Sequence, residues 1–155
     1  MNVQIKQLPP RKVVFMRHTG PYSQCQKAWE KLCKWARPRG LFQPGVEFIG
    51  LCHDDPEITP PENVRYDACI TVQTDVQPEG EIDVQTIGDG LYAMMTHYGS
   101  YNKLCETYAA IRGQWAPANG YVIRSLPSME IYVNAPEDAP EEELITDIYV
   151  PIEKG

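Results

Sequence analysis

His18-Thr19-Gly20-Pro21-Tyr22 returns as His97-Tyr98-Gly99-Ser100-Tyr101, with position 18 answered by position 97, an offset of 79. Each copy is a turn that leads from a strand into a helix. Glycine supplies the turn, and proline near a helix start is tolerated because the first N–H groups have no helical partner. Outward from the two copies the surroundings also repeat. Before the first copy stand a short strand, Val3 to Leu8, a break at Pro9-Pro10, and a dense apolar strand, Lys12 to Arg17. Before the second stand Ile82 to Ile87, the break Gly88-Asp89-Gly90, and Leu91 to Thr96.

The segments that follow match in the same order. The first helix carries Cys25, Ala28, Trp29, Leu32 and Ala36 on one stripe and stops at Pro38 and Gly40. Ser23 followed by Gln26 is placed to form a capping box. The second helix carries Leu104, Tyr108, Ile111 and Trp115. A third strand, Val46 to His53, is answered by Met129-Glu130-Ile131-Tyr132-Val133-Asn134, with Gly50 at the position of Glu130. The acidic, proline-rich loop Asp54 to Glu62 is answered by Ala135 to Pro140, and the strand Arg65 to Val72 by Thr146 to Ile152, at an offset of 80. Matched elements in matched order indicate a duplication. The expected fold is α+β: tandem ββαββ units with pseudo-twofold symmetry, repeat 1 about 1–76 and repeat 2 about 80–155, in a single domain. Each unit forms an antiparallel sheet with a helix on one face. The two units together leave a central ligand cleft flanked by the helices.

Composition limits the chemistry. At 155 residues with 43% hydrophobic and 23% charged residues, a real core can form. A formal charge of −7 argues against nucleic acid, which needs clustered Lys and Arg, and weakly favours a cationic ligand. No apolar run approaches the roughly 20 residues of a membrane span, and the N-terminus has no signal-peptide core. The five cysteines form no C-x-x-C pair, so no zinc site or disulfide framework is expected and a reducing cytoplasm is the simple setting. Neither a metal nor a cofactor is expected. There is no nucleophile elbow and no phosphate loop, so a binding module is expected rather than an enzyme.

Glu130 is the main candidate. Period-two geometry places Met129, Ile131 and Val133 on one face and Glu130, Tyr132 and Asn134 on the other. From the strand pattern alone, Glu130 reads equally as a pocket acid and as a surface acid paired with a Lys or Arg. Tyr132 shares its face. Trp115 closes the helical stripe, Tyr149 alternates with Ile148 and Val150, and Tyr92 lies on the second strand of its repeat. His18 and His97 recur, which marks them as scaffold. His53 stands alone and reads as solvated, and Cys52 and Cys69 read as core residues.

The G-[PS]-Y turns, the duplicated element order, the Met129–Asn134 strand and the closing Asp147-Ile148-Tyr149-Val150-Pro151-Ile152 resemble the GyrI-like superfamily, over essentially the whole chain. This is the effector-binding domain of AraC-type and MerR-type multidrug regulators, which also occurs as a free-standing protein. The resemblance implies an aromatic-lined pocket whose glutamate, here Glu130, pairs with lipophilic cations; Tyr132, Trp115, Tyr149 and Tyr92 are the candidate wall residues from the pattern, with an ordinary core or half-buried role as the alternative for each. It also implies two alternatives: hydrolysis of cyclopropane-bearing toxins by a pocket Glu, or inhibition of DNA gyrase through protein contact. The helix-turn-helix region of the regulators has no counterpart here. A separate regulator or DNA gyrase is therefore the expected protein partner, with no direct nucleic-acid or membrane contact.

Overall fold

The computed structural model describes residues 2–155. It divides into two compact units, residues 10–87 and residues 2–9 with 88–155. The first contains β2 (Arg11–Thr19), α1 (Gln26–Ala36), β3 (Phe48–Cys52), β4 (Arg65–Thr71) and β5 (Ile82–Ile87). Its sheet is antiparallel in the order β3-β4-β2-β5. The second contains β1 (Gln4–Leu8), β6 (Gly90–Tyr98), α2 (Leu104–Ala109), a π-helical segment (Ala110–Trp115), α3 (Ala116–Ala118), β7 (Tyr121–Ile123), β8 (Ser128–Tyr132) and β9 (Ile145–Lys154). Its sheet runs β1-β6-β9-β8, and β7 also pairs with β9.

The sequence repeat and the compact unit are therefore different cuts. β5 opens the second repeat but pairs with β2 of the first, and β1 opens the first repeat but pairs with β6 of the second. Inside each unit the core lies between helix and sheet. In the first unit Ala28, Leu32 and Ala36 of α1 pack on Val14, Met16, Ala68 and Ile70. In the second, Ile111 packs with Ala93, Ile148, Val150 and Ile152, with Leu104, Tyr108 and Trp115 around them.

The repeated turns are built alike. Gly20 and Gly99 have φ of 140° and 110°, a region that side chains disfavour. Their N–H groups donate to Val64 O and Leu144 O, both at 2.8 Å. His18 Nε2 and His97 Nε2 lie 3.0 and 2.9 Å from the carbonyls of Pro21 and Ser100, three residues on. A carbonyl only accepts, so each ring nitrogen donates and ties the turn to its strand. This is the scaffold role read from their recurrence.

Several local expectations change. The Ser23–Gln26 capping box does not form: a 3₁₀ turn, Tyr22–Gln24, leads into α1, and backbone bonds from Gln24, Cys25 and Ala28 replace a side-chain cap. Strand β7 was not expected. The strand around Glu130 ends at Tyr132, so Val133 falls outside it and is 55% exposed rather than a core residue. No helix among the described residues is long and apolar enough to cross a membrane.

Candidate functional site

Glu130 sits in the middle of β8 and is 6% exposed. Its register partner on β9 is Ile148, which packs under the helices. Paired residues of an antiparallel ladder share a face, so Glu130 points to the helix side of its own sheet. Of the two readings of Glu130, the surface acid is set aside by its burial, and the opposite face of β8 is covered as well: Met129 is fully buried and Ile131 is 8% exposed.

Two phenols hold the carboxylate. Tyr108 on α2 donates to Oε2 at 2.6 Å, and Tyr132, two residues along β8, donates to Oε1 at 2.8 Å. Burying a carboxylate is costly unless donors replace water, and hydrogen bonds to a charged group contribute about 1.5–3 kcal/mol each. The ring of Tyr132 lies 5.7 Å from that of Tyr101, which follows the second turn, so aromatic surface continues outward from the acid. On the other side the Arg112 guanidinium lies 5.1 Å from the Tyr108 ring centre, and its Nη2 donates to the fully buried Ser128 Oγ at 2.7 Å.

The structure thus brings Tyr132 to Glu130, as the alternation requires. Trp115 packs in the same helix–sheet cluster as Tyr108, whereas Tyr92 and Tyr149 do not share the face of Glu130. Met94 pairs with Tyr149 and Tyr92 with Pro151, so Tyr92 and Tyr149 share the sheet face opposite Glu130. Their rings meet edge-on at 6.3 Å. Trp115 stacks on Tyr121 at 5.4 Å with 10° between the ring planes. Tyr108 was missed as a site residue because its place on the apolar stripe marked it as core. The usable signal was its position opposite Trp29 in the repeat, since Trp29 also bonds downward, to Tyr66 Oη at 2.9 Å.

The first unit holds a second buried carboxylate that the sequence did not single out. Asp67 on β4 is fully buried. Arg17, its register partner on β2, grips it with Nε and Nη2 at 2.7 and 3.0 Å. Gln85 Nε2 donates to it at 3.0 Å, and His53 Nε2 lies 2.7 Å from Oδ2. His53 is accordingly not solvated but nearly enclosed, because Asp67 offers it an acceptor. Burial alone would raise the Asp67 pKa; the bonds from His53, Arg17 and Gln85 outweigh it and hold the pKa down at about 2. Among the described residues, no group of three or more His, Cys, Asp or Glu side chains is arranged to hold a metal ion.

Comparison with known proteins places this geometry in a family. Residues 1–153 match the model of the GyrI-like small molecule binding domain. The probable transcriptional regulator YgiV of Escherichia coli (strain K12) is 29% identical over 155 residues, covering 98% of this chain and 96% of that protein. A DNA gyrase inhibitor of Erwinia billingiae (strain Eb661) is 26% identical, covering 100% and 99%. Among solved structures, the EcmrR C-terminal domain has a TM-score of 0.79 at 24% identity, covering 99% and 98%. In the EcmrR–DNA complex the match covers 99% of this chain but spans only 58% of the EcmrR chain, with a TM-score of 0.86 at 23% identity. SAV2435, solved with tetraphenylphosphonium, has a TM-score of 0.61 at 18% identity, covering 99% and 94%. A hydrolase from Listeria innocua has 0.70 at 17%, covering 97% and 91%. At these identities the structural likenesses establish the fold.

Proposed function

The chain belongs to the GyrI-like small-molecule-binding family, and from that premise we propose that it binds lipophilic cations at Glu130 and acts as a cytoplasmic drug sensor or sequestering protein. The observation that carries this reading is a buried glutamate held by two tyrosine hydroxyls, with further aromatic surface beside them. Phenols stabilise a carboxylate without cancelling its charge. A bulky organic cation adds Coulomb attraction in a poorly hydrated setting, and each well-placed ring adds about 0.5–2 kcal/mol of cation–π attraction. Such a site selects charge and apolar bulk rather than detailed shape, which suits several ligands. The relative solved with tetraphenylphosphonium, a lipophilic cation, supports the ligand class. The name of the Escherichia coli relative supports a link to transcription.

The test is a fluorescence titration with a cationic rhodamine and a neutral dye of similar size. Micromolar binding of the cation alone is expected, weakened at least tenfold, about 1.4 kcal/mol, by Glu130→Gln. Equal binding of both dyes, or indifference to the substitution, would overturn the proposal.

The same geometry favours a second reading, hydrolysis of a reactive small electrophile such as a strained cyclopropane. A carboxylate that accepts from a phenol at each oxygen is equipped to take a proton from water, while a phenol O–H beside it can supply one to the leaving group. A hydrolase shares the fold. Turnover that vanishes in Glu130→Gln would favour this reading over simple binding. Inhibition of DNA gyrase, the activity in the Erwinia relative's name, would instead survive that substitution in a supercoiling assay, with the acidic loops 54–62 and 137–143 as the contact surfaces.

A further inference from the structure

The helix of the second unit departs from its counterpart at one place. α1 is α-helical from Gln26 to Ala36, whereas residues Ala110–Trp115 wind as a π-helix. Such wide turns are rare and occur often at functional sites. Here the segment carries Arg112, at the position that Cys33 occupies in the first repeat. The Arg112 side chain is held from two sides, by the bond from Nη2 to the buried Ser128 Oγ and by the Tyr108 ring. Among the described residues, its buried Nε has no hydrogen-bond partner, and Nη2 makes the bond to Ser128. Among the described residues no carboxylate lies within ion-pair distance of it.

This arginine lines an open groove of about 500 Å³ on the second unit. The other walls are apolar: Ala116, Pro117, Tyr121, Val122 and Ile123, with Gly155 at one end. Tyr121 is backed by Trp115 in a parallel stack, so one wall is flat and rigid. Val122 and Ile123 are 46% and 36% exposed, a large apolar surface for a strand end. No acidic side chain enters the lining, and the backbone carboxylate of Gly155 does not come within ion-pair distance of Arg112. A fixed cation with donors to spare, set in an apolar groove with an aromatic wall, matches a flat organic anion. One positive charge suits a monoanionic carboxylate better than a phosphate dianion, which needs more than one cation to replace its water.

We propose that this groove is a second ligand site, distinct from Glu130, that binds small aromatic carboxylates through Arg112 and the Tyr121 wall. The carboxylate accepts from the Arg112 guanidinium while the ring packs between Tyr121 and the Val122–Ile123 edge. The site has the opposite charge preference to the one proposed for Glu130 and stands whether or not that one does.

Calorimetry and backbone amide NMR with 2-naphthoate test it, with neutral 2-naphthamide as control. Saturable naphthoate binding is expected, at least tenfold tighter than the amide, with shifts centred on residues 116–123. Arg112→Gln should weaken it at least tenfold. Val122→Glu, which places a negative charge on the exposed rim without touching the core, should do the same and keeps the test valid if the arginine substitution disturbs the helix. Naphthoate binding no tighter than the amide, shifts centred elsewhere, an affinity unmoved by either substitution, or no binding at millimolar ligand would each overturn the proposal.

Discussion

Each repeat buries a carboxylate, and the two are treated differently. In the first unit Asp67 is met by a guanidinium, an imidazole and an amide, so its charge is answered within the unit. In the second, the carboxylate at the matching position, Asp147, faces Thr96, which stands where Arg17 stood and donates at 2.7 Å. The deeply buried acid has moved to Glu130, where the first repeat has Gly50, and its bonds come from the neutral hydroxyls of Tyr108 and Tyr132. One scaffold thus holds an acid clamped by cations in one copy and an acid dressed by phenols in the other. A guanidinium clamp satisfies charge and geometry together and suits stability. Phenols supply hydrogen bonds and carry no charge of their own, which is compatible with the cation binding proposed for Glu130.

The sharpest way to break this comparison is Asp67→Asn. It leaves Arg17 and His53 beside a neutral amide, and the loss of unfolding free energy should be about 2–3 kcal/mol in urea denaturation at pH 7, since the carboxylate end of the pair is fully buried while the Arg17 end reaches water. A loss under about 1 kcal/mol would show the clamp to be ornamental.

Next in size is acid titration. The folded Asp67 pKa of about 2 lies below the usual value near 3.9, so its contribution is fully present above pH of about 4 and is lost as pH falls through about 2. That contribution is about 2–3 kcal/mol. Stability followed between pH 5 and 2 should fall less steeply in Asp67→Asn than in the parent protein; equal slopes would refute the assignment.

Removing one phenol should cost less. Tyr108→Phe removes one donor from a buried carboxylate, and a loss of about 1.5 kcal/mol is expected in the same denaturation assay. A cost as large as that of Asp67→Asn would mean the two acids are held alike.

The smallest expected effect comes from rebuilding the first unit's pair in the second. Thr96→Arg faces Asp147 across the ladder and should stabilise by up to about 1 kcal/mol, screened by salt, in thermal denaturation at low and high ionic strength. A salt-independent change would exclude the ion pair.

Much of this architecture could be read beforehand. The His-x-Gly-x-Tyr turns recur because each needs a glycine at positive φ and a histidine to tie the turn, requirements that act within five residues. The helical stripes through Leu32 and Ile111 were legible for the same reason, since burial follows a local period. Glu130 and Tyr132 were legible as a pair because they are two residues apart on one strand. Tyr108 was not, because its phenol reaches the site from a helix 22 residues away, and its stripe position is that of an ordinary core residue. His53 was misread as solvated because its acceptor, Asp67, is 14 residues on and faces inward only through the β2–β4 register.

By itself, then, the sequence determined the duplication, the order of the ββαββ elements in each repeat, the turn chemistry and the strand that carries the acid. These follow from periodicity and from backbone needs that neighbouring residues satisfy. Tertiary structure alone decided which sheet face Glu130 shares, that Tyr92 and Tyr149 lie opposite it, that the opening strands pair in each other's units, and that Arg112 borders an apolar groove. Side chains alternate with a period of two, so the partner strand's register sets each residue's company. Register and strand exchange are settled by pairings between residues dozens of positions apart, where no local pattern reaches.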